Sequence, residues 1–79
     1  MILNRDQLIK DIKEFVGKDG YVPFEHGYQP TVNAYAVDYD GIWLKTTHKH
    51  RPFEEMCTEG IANIVFELFR YMNYCHLHA

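Results

Sequence analysis

No stretch of this sequence is long and apolar enough to cross a bilayer, which takes about 20 consecutive apolar residues as a helix. Nor does it open with the charged-then-apolar pattern of a secretory signal, because Met1-Ile2-Leu3-Asn4-Arg5-Asp6 reaches an acidic residue at once. No membrane association and a cytoplasmic location are therefore expected. Positive charge is in deficit: eight Lys and Arg stand against eleven Asp and Glu, a formal net charge of −3. Global attraction to nucleic acid or to an anionic surface is not favoured.

Cysteine is scarce. Cys57 and Cys75 both fall in the helix expected for the last third of the chain, 18 positions apart. That separation is ~27 Å at ~1.5 Å per residue, whereas a disulfide needs Cα atoms within about 7 Å. Free thiols are expected, as in a reducing compartment. Signatures of catalysis are missing as well. There is no G-x-S-x-G, no phosphate-binding glycine loop, no H-E-x-x-H and no C-x-x-C pair. The expectation is a protein that is not an enzyme and that carries no cofactor and no metal.

What the chain does have is a core. Of 79 residues, 47% are hydrophobic and 15% aromatic, which is ample for one packed domain over residues 1–79 and too little chain for two. Asn4 and Gln7 occupy the N-cap and N3 positions of a helix over residues 5–16, with Leu3 placed to staple onto Leu8. Leu8, Ile9, Ile12, Phe15 and Val16 form one face at helical spacing, and Gly17 suits the stop. Tyr21 to Phe24 reads as a short edge strand, since Pro23 cannot donate to a ladder. Glu25 to Pro30 reads as loop.

A hairpin follows. Thr31 to Tyr39 and Ile42 to His48 flank Asp40-Gly41, a pair suited to a two-residue turn. That register sets Tyr39 opposite Ile42, Val37 opposite Leu44 and Tyr35 opposite Thr46 on the core face, leaving Val32, Ala34, Ala36, Trp43 and Lys45 on the other. A four-residue turn over Asp38 to Gly41 is the competing register. The last third reads as one long helix from Pro52, with an apolar stripe through Phe53, Cys57, Gly60, Ile61, Ile64, Leu68, Tyr71, Met72 and Cys75. A break near Thr58 is the alternative. On the stripe, Gly60 suggests close approach to the sheet. The fold expected is two-layer α+β: an N-terminal helix, an antiparallel β-hairpin or three-stranded sheet (order α-β-β-β-α), and a long C-terminal helix, both helices on one sheet face.

Several clusters invite a functional reading, and most have a plainer one. His48-Lys49-His50 and Cys75-His76-Leu77-His78 carry zinc-type donors without zinc-type spacing, and solvated ends account for them. Cys57 on the stripe reads as a core thiol. Glu55 and Glu59 read as a solvated face. Lys45, Lys49 and Arg51 precede the last helix, whose free amides attract anions, so this segment is the candidate nucleic-acid or anion site. The strongest candidates are apolar residues out of place. Phe66 stands almost opposite the core stripe with Ala62 and Phe69 beside it, and Trp43 projects from the sheet face away from the helices. Phe66, Phe69 and Trp43 are therefore the expected partner-binding residues of a protein–protein interaction module, with a homodimer one form of it.

Overall fold

The computed structural model describes residues 4–24 and 27–78. Helix α1 spans Arg5–Val16, as its capping signals require. Asn4 accepts from the Gln7 amide at 3.0 Å. The Gln7 side chain does not return the bond but turns to Asp11 at 2.8 Å, so the capping box is half formed. Gly17 closes the helix at φ +88°, where a side chain would be strained. The Leu3 staple lies outside the described residues.

Four strands follow in sequence order, each antiparallel to the next: β1 (Tyr21–Pro23), β2 (Ala34–Asp38), β3 (Gly41–Leu44) and β4 (His50–Pro52). The Tyr21 strand is real. The fourth was not anticipated: residues 45–47 form a turn, and His48, at φ +56°, redirects the chain into β4. Both edge strands are three residues long and end in proline, which blunts them against further pairing.

The hairpin adopts the competing register. Val37 pairs with Ile42 and Ala36 with Trp43, with Asp38 to Gly41 as the turn. The reason is local: the Asp38 carboxylate accepts from the Asp40 amide at 2.9 Å and the Gly41 amide at 2.8 Å. Gly41 is also required for contact with β4, since a Cβ there would lie 2.1 Å from the Arg51 carbonyl oxygen. The slip from the expected register is two residues, so Val37, Ile42 and Leu44 keep their inward face; a slip of one would have reversed them. A bulge between Ala34 and Ala36 turns Ala34 inward, contrary to the simple alternation. Val32 packs against the core too. Tyr39 leaves the core for the turn, where the Lys13 ammonium lies 4.0 Å from its ring centre. Tyr35 packs beside the His48 ring.

The last third is not one rod from Pro52. Phe53–Glu55 form a single 3-10 turn, Met56 is extended, and α2 runs Thr58–His78. The cause is 48 and 51 residues away. The Arg5 guanidinium donates to the carbonyls of Phe53 at 2.7 Å and Met56 at 2.5 Å, groups that a continuous helix would have used internally. From Thr58 onward the helix is unbroken, through Gly60.

Both helices lie on one face of the sheet. Ile12 of α1, Ala34, Val37 and Ile42 of the sheet, Phe24, Phe53, and Ile61, Ile64 and Leu68 of α2 make one buried cluster. Gly60 does not serve close approach to the sheet, because a Cβ there would meet only the side chains of Met56 at 3.4 Å and Cys57 at 3.5 Å. Gly60→Ala should therefore stabilise the fold by ~0.5–1 kcal/mol, through helix propensity and a less free unfolded chain. Urea denaturation measures this, and a lower midpoint for the alanine variant would contradict the placement.

Candidate functional site

Successive residues of a helix are rotated by about 100°, so once Ile61, Ile64 and Leu68 of α2 face inward, Phe66 must face out. It does, with 69% of its surface exposed, and Phe69 is 62% exposed although α1 lies alongside. Two residues assigned to the core stripes join them. Phe15 of α1 and Met72 of α2 sit at the stripe edges, and each remains nearly half exposed. Between the helices runs a groove of about 170 Å³ lined by Asp11, Ile12, Phe15, Val65, Leu68, Phe69 and Met72. Its lining is almost wholly apolar, with Asp11 the one charged wall residue among those described.

Trp43 belongs elsewhere. The register sets it with Ala36 and His50 on the sheet face away from the helices, so it shares no surface with Phe66 and Phe69. It is half-buried rather than projecting. The His50 ring packs edge-on at 4.9 Å, and the indole N–H is enclosed without a hydrogen-bond partner among the described residues. His50 is itself held by Asp38, Nε2 to Oδ1 at 3.0 Å. Burial raises the Asp38 carboxyl, but the His50 contact and the two turn amides outweigh it and leave the group below its ordinary value.

The basic residues do not converge. Lys45 lies in the β3–β4 turn, Lys49 follows it, and Arg51 lies on β4; all three are exposed. The 3-10 turn separates all three from the start of α2. Only Arg51 shares a shallow recess with Met56, just before that helix, and with Gly60 in its first turn.

Family models, curated proteins and solved structures yield no match to this chain.

The thiols and imidazoles are dispersed. Cys57 is exposed at the start of α2, not in the core as its stripe position implied, because the break after Glu55 moves it off that stripe. Cys75 is half-buried, and both thiols are free. In the native state a thiol reagent should modify Cys57 first and Cys75 about ten-fold more slowly. Protection of Cys57 until denaturant is added would return it to the interior. Among the described residues no three His, Cys, Asp or Glu side chains gather where a metal ion could be held. No helix among them is long and apolar enough to cross a membrane.

One polar cluster gave no sign in the sequence. Glu67 is 2% exposed, and its carboxylate accepts from the hydroxyls of Tyr28 and Thr31 and from Arg70 at 3.2 Å. Burial raises this carboxyl, but the Thr31 and Tyr28 hydrogen bonds and the Arg70 charge hold it below its ordinary value. Burial, then the bond to Glu67, pushes the Tyr28 phenol upward. Phe24, Tyr28, Tyr71 and Tyr74 stack around this point with ring centres 5.5–5.8 Å apart. The cluster ties the segment after β1 onto α2, and its geometry accounts for it as structure: both oxygens of the Glu67 carboxylate are engaged within the fold, by Tyr28, Thr31 and Arg70.

Proposed function

We propose that this chain is a small, non-enzymatic protein–protein interaction module whose contact surface is the face made by α1 and α2. The observation that carries the reading is the outward display of Phe66 and Phe69 beside an apolar groove. An aromatic patch of this kind on a small domain commonly marks an interface, because its hydration is a standing free-energy cost that a partner removes. The formal net charge of −3 and the scattering of Lys45, Lys49 and Arg51 favour a protein surface over a polyanion as the occupant. The half-buried Trp43 is left out of this contact.

A photoreactive benzoyl-phenylalanine in place of Asn73, which is exposed two turns beyond Phe66, tests the reading in the cell that carries the gene. Discrete protein adducts are expected on illumination, and they should fade when Phe66→Ser and Phe69→Ser are introduced together. Adducts that persist in that double variant, or none from the parent, would remove the basis for an interaction surface here.

A further inference from the structure

The groove and the phenylalanine beside it fit each other, which points to what fills the groove. We infer that the occupant is a second copy of this chain, packed about a two-fold axis, with Phe66 of each protomer inserted into the α1–α2 groove of its partner. The inference rests on the interaction reading above and deepens it.

Size supports it first. An apolar cavity of about 150 Å³ holds one benzene molecule, so a groove of about 170 Å³ accepts a single phenyl ring. Phe66 is the most exposed phenylalanine of the five. It stands one turn from Phe69, which forms a wall of the groove, so projection and recess lie side by side on one face. That adjacency is what a closed two-fold contact requires, since the same patch must supply both halves. Ala62, one turn before Phe66, leaves room for two α2 helices to cross closely.

Area supports it second. Phe15, Phe66 and Phe69 expose 46%, 69% and 62% of their surfaces. At ~200 Å² for each ring, that is roughly 350 Å² of aromatic surface per protomer. A standard interface buries about 800 Å² per partner, of which ~65% is apolar at its core. With Met72, Val65 and Ala62 around the rings, the patch supplies most of that apolar share. The dimer expected is at the small end of the range, with a Kd on the order of micromolar.

Sedimentation velocity from about 1 µM to about 1 mM should show a monomer–dimer equilibrium. Phe66→Ala removes the projection and Met72→Trp fills the recess; each should raise Kd at least ~100-fold, while the remote Lys49→Ala leaves it unchanged. Circular dichroism melts confirm that each variant is folded. The decisive sample is an equimolar mixture of the Phe66→Ala and Met72→Trp chains. One intact insertion survives only in the mixed pair, so a heterodimer should form more tightly than either homodimer. A monomer throughout, a dimer indifferent to either substitution, or no gain on mixing overturns the inference. Adducts of Asn73-substituted protein with other proteins, from a chain that sediments as a monomer, would end the self-association while leaving the interaction surface intact.

Discussion

Phe53→Ala should cost ~4 kcal/mol, about a third or more of the stability of the whole fold. Phe53 is 1% exposed and lies in the buried cluster. Its backbone is held at both ends: its amide donates to Asp40 at 3.0 Å, and its carbonyl accepts from Arg5. The 3-10 turn therefore has little freedom to move a neighbouring side chain into the vacated space, and incomplete collapse is what makes such a truncation expensive. Against this stands a total stability that for 79 residues is ~4–12 kcal/mol, at ~0.05–0.15 kcal/mol per residue. In a domain of this size each kcal/mol corresponds to about 4–8 °C in Tm, so a fall of ~20 °C or more is expected by calorimetry. Phe66→Ala is the internal control. It removes the same ring from an exposed site and should leave the stability of the monomer within about 0.5 kcal/mol. If the two substitutions cost the same, the assignment of one phenylalanine to the interior and the other to the surface is wrong.

Glu67→Ala should destabilise by ~3 kcal/mol, since it strips the charged acceptor from two hydroxyls and Arg70 and leaves a void on a packed helix. Glu67→Gln keeps the volume and one acceptor oxygen, and should cost ~1–2 kcal/mol. The pair also separates charge from packing through pH. In the folded chain the Glu67 carboxyl lies below its ordinary value of 4.5, so as pH falls the unfolded chain takes up the proton first. Its contribution is fully present above the unfolded value and is lost as pH drops through 4.5 toward the folded value. Asp38 is lowered in the same sense and adds to the same window, so wild-type acid sensitivity alone identifies neither group. Denaturation of wild type and Glu67→Gln at pH 7 and near pH 3 isolates the difference, which should shrink on acidification. A gap that stays constant would falsify the role of the ionised carboxylate.

The outward-facing phenylalanines of α2, Phe66 and Phe69, are legible in the sequence because helical periodicity is local: once the inward residues of α2 are named, the outward ones follow. Phe15 and Met72 were not, since a residue at the edge of a stripe is buried or exposed according to how far the neighbouring helix reaches over it. Trp43 was set on the correct sheet face, because a slip of two residues preserves alternation. Its half-burial depends on His50, which belongs to the unanticipated β4. Cys57 is exposed for the same reason that α2 is shorter than its apolar stripe. An apolar stripe runs through Phe53 and Cys57 whether or not the backbone between them is helical.

By itself the sequence determined both ends of α1, the existence of the hairpin, the helical character of residues 58–78 and the inward placement of Ile12, Val37, Ile42, Ile61, Ile64 and Leu68, all of which depend on groups a few positions apart. Only the tertiary structure decided where α2 begins, which turns the Tyr28–Thr31 segment against it, and that Glu67 is an interior residue. Each of those outcomes depends on a partner 36 to 51 residues distant: Arg5 on the Phe53 and Met56 carbonyls, Tyr28 and Thr31 on Glu67. Such pairings appear only when the chain has collapsed, because the geometry that brings donor and acceptor together is a property of the packed layers and of no single segment.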